Sequence, residues 1–179
     1  MKIKENVRFK TEWRIDKFKD SKGIIAKALN GGISVEEAVV QADENFFGSE
    51  IFEGNLGLNE GLQELIDIIC GLSSPTKWDA SNARLGVGDG TAAESATQTG
   101  LQGTNKTFKV MDSGYPNRSS QTAEWRATFG SAEGNHAWEE FTVVNAADDT
   151  GKNLNRKTAS KGTKASGETW TLSLKITFS

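Results

Sequence analysis

Hydrophobic and polar residues alternate along the start of the chain with a period of two. The even positions are charged or amidic, and the odd positions carry the apolar set: Ile3, Val7, Phe9, Thr11, Trp13 and Ile15. A period of two is typical of a β-strand with one buried face. We therefore predict one long strand, whose apolar face needs a sheet to cover it in its own domain or on a neighbouring subunit.

Two further segments have helical spacing. A capping box from Ser34 to Glu37 predicts a helix that continues to about residue 45. A second helix is predicted over residues 59–70, with Asn59 as N-cap and Gly71 as the C-terminal stop. Cys70 lies at the end of its apolar run, so we expect this thiol to be buried.

From about residue 82 the chain changes to short alternating runs separated by Gly, Asn, Asp and Ser. The predicted strands are 83–87, 107–112, 122–129, 137–145 and 168–178. Several short strands with turn residues between them are typical of an antiparallel sandwich or barrel. The predicted fold class is mainly β with a small helical part (α+β): an antiparallel sandwich or barrel, an extended N-terminal strand arm and one or two short helices.

The predicted organisation has three parts. Residues 1–32 form the arm and a linker, residues 33–75 a helical segment packed on the β-domain, and residues 76–179 the antiparallel β-domain. Two polar stretches, 88–103 and 146–167, are longer than ordinary connections of about 4–6 residues. We expect these long loops either to be functional or to be held by neighbouring subunits.

The composition excludes several classes of function. A single Cys and a single His provide neither a disulfide nor a zinc site, and they leave little for Cys–His or Ser–His catalysis. We therefore expect no enzyme activity, no catalytic residues, no cofactor and no metal. The net charge of −3 argues against a nucleic-acid partner. No apolar run is long enough to span a bilayer, and the charged start resembles no signal peptide, so we expect no membrane partner and a cytoplasmic origin.

Four local patterns could suggest chemistry, and each has a simpler explanation. The glycines at 86, 88 and 90 lack the lysine of a phosphate loop and predict a turn after a strand. The acidic turn at Asp148 and Asp149 lacks the spacing of an EF-hand. Glu139 and Glu140 are adjacent and so point to opposite faces of a strand, which excludes a shared cleft. His136 has no acid or nucleophile at a recognisable spacing.

Charge is unevenly distributed along the chain. Residues 1–30 carry nine Lys and Arg against four acids, residues 31–60 carry seven acids and no base, and residues 150–179 carry six bases and one acid. Such segregation suits a chain that contacts copies of itself, basic segment against acidic neighbour. The alternative is three solvated surfaces without a partner.

A resemblance to structural proteins of tailed bacteriophages rests on several motifs within residues 50–179. The most specific is the Gly-rich run from Asn82 to Ala93, which continues through Thr97 to Leu101. The segments that fit the same pattern are 56–61, 126–129, 138–143 and the Thr-rich final strand. The resemblance implies a non-enzymatic virion component built from β-rich subunits and assembled in the host cytoplasm.

Within that class, a capsid decoration (cement) protein is the favoured interpretation. The resemblance implies a homo-oligomer, with a trimer favoured, that binds the major capsid protein or other virion proteins through an N-terminal arm. The alternatives are a tail, baseplate or fibre-associated subunit, and a carbohydrate-binding host-attachment module that uses Trp78. The candidate partner-binding residues are Arg8, Phe9, Lys10, Trp13, Arg14 and Trp78.

Overall fold

The computed structural model describes residues 9–20, 23–29, 31–33, 44–72 and 74–179. Within them the strands are β1 (Phe9–Lys19), β2 (Phe46–Glu53), β3 (Leu56–Gly57), β4 (Arg84–Gly88), β5 (Lys106–Val110), β6 (Asn117–Ser119), β7 (Thr122–Phe129), β8 (Glu140–Val144), β9 (Asn155–Thr158) and β10 (Glu168–Phe178). The helices in the same residues are α1 (Ile24–Leu29) and α2 (Asn59–Cys70).

These strands form two five-stranded antiparallel sheets. Sheet 1 has the order β2–β1–β10–β7–β6, and sheet 2 has the order β3–β9–β8–β4–β5. The mainly β, sandwich-like fold class with a small helical part is thereby confirmed. Non-consecutive strands are neighbours in both sheets, so each sheet depends on pairings between residues far apart in the sequence.

Strand β1 lies inside sheet 1 and does not project from it. Its eleven residues pair with β10, from Phe9 opposite Phe178 to Lys19 opposite Glu168, and its other edge pairs with β2. The prediction of an arm is therefore wrong for residues 9–19, although the predicted strand itself is confirmed. The reason is hydrophobic: Trp13 and Ile15 are fully buried between the sheets.

The core lies between the two sheets and is rich in aromatic rings. Trp138 packs edge-on against Phe129, with ring centroids 4.8 Å apart, and against Trp170 at 4.9 Å. Trp13 of β1 approaches Phe141 of β8 at 5.8 Å, which joins sheet 1 to sheet 2. Such contacts contribute about 0.5–1.5 kcal/mol each beyond area burial.

The predicted strands of the second half of the chain agree with the structure to within a few residues. Residues 122–129 and 168–178 are strands over the predicted ranges, because their alternation is clean. The strands that the pattern did not predict are β2, β3, β6 and β9. These strands are short or, like β2, lie at an edge where both faces are partly exposed, so a period-two pattern is weak.

Helix α2 confirms the helix predicted over residues 59–70. Its N-cap is Leu58, without a side-chain cap bond, so the prediction of Asn59 as the cap is wrong, whereas Gly71 adopts the left-handed conformation expected of the C-terminal stop. Gly61 lets the helix touch the chain at residues 153–154, since a Cβ there would clash with the Asn153 carbonyl oxygen. The capping box at 34–37 lies outside the described residues.

A buried carboxylate organises the first long loop. Glu140 has no exposed surface and accepts hydrogen bonds from the backbone N–H groups of Gly90 (3.2 Å), Gln102 (2.9 Å) and Gly103 (2.7 Å). Arg156, also fully buried, donates from Nε to Glu140 Oε2 at 2.7 Å. Residues 89–103 are thus held at both ends by one side chain of β8.

Additional contacts within the chain complete this arrangement. Arg156 Nη1 donates to the Ala92 carbonyl (3.0 Å) and to Gln98 Oε1 (3.1 Å) in the middle of the same loop. Asp149, from the second long stretch, accepts from the Leu101 N–H and from Lys106 Nζ. Each long stretch therefore has partners in its own chain, and the second also contains strand β9.

We expect Arg156→Met to destabilise the protein by about 3–5 kcal/mol, because it leaves the Glu140 carboxylate buried without its cation. Urea unfolding followed by tryptophan fluorescence measures the loss. The matched control is Lys10→Met, which breaks the exposed Lys10–Glu53 pair (3.0 Å) and should change the stability little. Equal effects of the two substitutions would contradict the role assigned to the buried pair.

Candidate interaction surface

An apolar cleft of about 520 Å³ opens between sheet 1 and helix α2. Its walls include Phe9 of β1, Ile176 and Phe178 of β10, and Leu62 and Leu65 of α2. The rings of Phe9 and Phe178 contact each other, with centroids 4.6 Å apart. The cleft is therefore bounded by the first residue of β1, the end of β10 and the helix that follows β3.

Helix α2 extends this apolar surface beyond the cleft. Leu62, Ile66 and Ile69 recur at i, i+4 and i+7, which places them on one face of the helix. Ile66 is 55% exposed and Ile69 is 75% exposed. We call the cleft together with these three side chains the apolar surface. Contiguous exposed apolar area of this kind is typical of interaction sites.

The end of α2 differs from the sequence prediction. Cys70 is exposed, so the expectation of a buried thiol is wrong. The helical segment 33–75 is expected to pack on the β-domain, and Leu65 of α2 does pack against the core. Ile66 and Ile69 on the same helix have no such cover among the described residues. Periodicity marks the apolar side of a helix but cannot say which part of the molecule covers it.

Two predicted binding residues have little or no exposed surface. Trp13 has no exposed surface and stacks near Phe52 in the core. Trp78 is 7% exposed, and its indole N–H donates to the Lys152 carbonyl at 3.1 Å. Trp13 therefore belongs to the core, where a large ring contributes most to stability, whereas Trp78 keeps a small exposed area among the residues that line the cleft.

The other predicted binding residues fall into three situations. Phe9 is 57% exposed and forms part of the cleft. Lys10 and Arg14 lie on the outer face of sheet 1 and are paired with Glu53 and Asp16, which raise the pKa of each basic group. Arg8 lies outside the described residues. Of the predicted set, Phe9 and Trp78 are the described residues that line the cleft of the apolar surface.

The outer face of sheet 1 is polar and its charges balance. Glu12, Asp16 and Glu124 share the face with Arg14, Arg126 and Lys175 around two shallow depressions of about 280 and 410 Å³. Arg126 is held by Asp112 at 2.9 Å, and Arg14 by Asp16 at 2.9 Å. With its cations paired to its own acids, this face has no excess charge to bind an ion.

The described residues bring together no arrangement suited to metal binding. No group of three or more His, Cys, Asp or Glu side chains is close enough to hold a metal among residues 9–20, 23–29, 31–33, 44–72 and 74–179. His136 is fixed by Thr107 (3.1 Å) and by the Ala137 carbonyl (2.8 Å), rather than by an acid. Glu139 bonds Ser160 while Glu140 binds Arg156, so these neighbours serve separate contacts.

Lys164 is buried, and its ammonium group is hydrogen-bonded to neutral acceptors and not to a carboxylate. Its ammonium donates to the Gly130 carbonyl (2.8 Å) and to Asn135 Oδ1 (2.7 Å), which are neutral acceptors. Burial lowers the pKa of Lys164 to about 8, against the opposing effect of Glu168 and Glu133. The folded state therefore releases this proton more readily than the unfolded chain does.

We expect the stabilising contribution of Lys164 to rise between pH 8 and about pH 10.5. In this window the unfolded chain binds the proton and the folded state does not, so stability increases with pH. The measurement is the difference in unfolding free energy between the wild-type protein and Lys164→Met at pH 7, 8, 9 and 10. A difference that is constant over this range would contradict the lowered pKa.

We expect Trp78→Ala to destabilise the protein by about 3–5 kcal/mol, because it empties a buried ring site and removes one of the two hydrogen bonds that the Lys152 carbonyl accepts. Ile69→Ala, at the exposed end of α2, should change the stability by about 0.5 kcal/mol or less. Thermal unfolding by circular dichroism compares the two variants. Similar midpoints for both would show that Trp78 does not belong to the core.

Comparison with known proteins adds no family to this description. No family model, no curated protein and no solved structure matches the chain. Among the described residues, no helix is long and apolar enough to cross a membrane. The apolar surface on α2 and the cleft beside it are therefore the candidate functional site that the structure itself provides.

Proposed function

We propose that this protein is a non-enzymatic structural subunit of a tailed-bacteriophage virion, of the capsid decoration (cement) type. In this role it binds the major capsid protein and copies of itself, and its location is the virion. The sequence motifs within residues 50–179 support the virion assignment through their resemblance to phage structural proteins. The apolar surface supports the binding role.

The exposed face of α2 is the observation that carries this proposal. Leaving Ile66 and Ile69 in water forgoes the burial free energy of about 1.5–3 kcal/mol per side chain. A subunit that assembles recovers this free energy when its partner covers the helix. The balanced charges of the outer face of sheet 1 offer no comparable gain, so α2 is the better candidate for the contact.

A tail, baseplate or fibre-associated subunit has the same need for such a surface and is the closest alternative. A carbohydrate-binding module has less support, because Trp78, the ring proposed to stack on a sugar, is buried.

Capsid and tail proteins differ in copy number. Hundreds of copies per purified particle on a stained gel would favour the capsid shell or tail tube, and a few to a few dozen would favour the tail tip or fibres.

We expect the double variant Ile66→Asp/Ile69→Asp to lose attachment to particles while it remains folded, because both side chains are exposed in the free subunit. Co-sedimentation with particles lacking the protein measures attachment, and circular dichroism verifies folding. The matched control, Lys19→Asp/Lys27→Asp, also places two acids on exposed positions of the protein. Undiminished attachment of the α2 variant would remove the support that the apolar surface gives to this function.

A further inference from the structure

Two connections that cross between the sheets meet at the side chain of Lys164. Residues 130–139 lead from β7 of sheet 1 to β8 of sheet 2, and residues 159–167 lead from β9 of sheet 2 back to β10 of sheet 1. The pairings of β7 with β10 and of β8 with β9 put both connections at the same end of the sandwich. Lys164 lies in the second connection and donates to Gly130 and Asn135 in the first.

The environment of Lys164 makes its amine a nucleophile. The residue is 1% exposed, whereas lysine is almost never fully buried without an anionic partner. Both acceptors of its hydrogen bonds are neutral, so no hydrogen-bonded carboxylate offsets the cost of removing the ammonium from water. Burial lowers the pKa of Lys164 to about 8. A larger fraction of the amine is therefore uncharged near neutral pH than in an exposed lysine, and only the uncharged form attacks a carbonyl carbon.

An electrophilic carbon lies beside this amine. Lys164 Nζ is 2.7 Å from Asn135 Oδ1. Because a carbonyl bond is about 1.23 Å long, the amide carbon Cγ of Asn135 lies at most about 3.9 Å from Nζ. The amide is also held on its other side, since Asn135 Nδ2 donates to the Ser131 carbonyl at 3.0 Å. Two groups fixed together in this way react far faster than the same groups free in solution.

We propose that Lys164 and Asn135 form an intramolecular isopeptide bond, an amide between their two side chains. The lysine ammonium first loses a proton, and the uncharged Nζ then adds to Cγ, which forms the Nζ–Cγ bond. A second proton passes from Nζ to Nδ2, the Cγ–Nδ2 bond breaks, and ammonia leaves and takes up the first proton. An ammonium and an amide thus give a new amide and one ammonium ion, so the reaction needs no oxidant or other co-reactant.

The surroundings suit this reaction. Glu168 and Glu133 are close enough to act on the Lys164 amine by their charge, and carboxylates so placed can carry protons during the exchange. Asn135 is exposed, which gives the released ammonia a path to solvent. The product is neutral, so the bond also removes a charge that burial disfavours.

The bond would act on stability as a disulfide does. It closes the loop of residues 135–164 and ties the two connections together, which restricts the unfolded chain. With a single Cys the chain has no internal disulfide to do this. The inference goes beyond the proposed function, because it concerns a modification of the subunit and not its partner. An amide nitrogen does not titrate, so the pH dependence expected of Lys164 belongs to the protein before it is linked.

The intact mass of the full-length protein, kept at pH 8 for one week and then denatured, tests the proposal. We expect the main species to be lighter than the sequence mass by one molecule of ammonia. Trypsin should then release residues 127–152 and 162–175 as one branched peptide, because the link blocks cleavage after Lys164. Asn135→Ala and Lys164→Met should keep their full sequence masses, and the matched control Lys10→Met should lose ammonia as the wild-type protein does.

Two results would overturn the proposal. One is the full sequence mass for the wild-type protein after the incubation, a result that does not depend on whether any variant folds. The other is a loss of ammonia that persists in Lys164→Met or in Asn135→Ala, because it would then come from an asparagine that cyclises onto its own backbone.

Discussion

The buried ion pair between Glu140 and Arg156 is the interaction on which the arrangement of sheet 2 and its loops depends. Both side chains are removed from water, which is costly for charges, and the cost is offset only because each is surrounded by hydrogen-bonding groups. Glu140 accepts hydrogen bonds from backbone N–H groups at both ends of residues 89–103. Arg156 donates a hydrogen bond to the Ala92 carbonyl within the same loop. A long polar loop, which has little apolar area to bury, is thereby fixed to the sheet by charge.

This arrangement affects where the molecule can interact. Because residues 89–103 and the acidic turn at Asp149 have partners inside the chain, their polar groups are largely used in folding. The outer face of sheet 1 also pairs most of its charges internally. The large apolar side chains that remain exposed among the described residues include the rings of Phe9 and Phe178 and the outer side of α2. The binding role proposed for the protein follows from this difference, since desolvating such side chains releases free energy whereas separating paired charges does not.

The core of this protein does not depend on the exposed side of α2. The Trp and Phe rings between the sheets fill the core, and among the α2 side chains it is Leu65 and Ile68 that pack against them. Ile66 and Ile69 lie outside that packing and remain exposed. Substitutions at these two positions can therefore change the surface while the packing between the sheets is kept.

The sequence alone determined the clean strands, the helix over residues 59–70 and the mainly β class, because alternation and helical spacing depend only on which residues are apolar. It also singled out Phe9, whose ring is exposed on the wall of the cleft. It could not show that Trp13 and Trp78 are buried, that Cys70 is exposed, or that Glu140 and Arg156 form an ion pair. Those facts depend on which strands become neighbours, and the pairing of β1 with β10 joins residues far apart in the chain, such as Phe9 and Phe178. A local pattern shows that a residue needs cover, and only the tertiary structure decides what covers it.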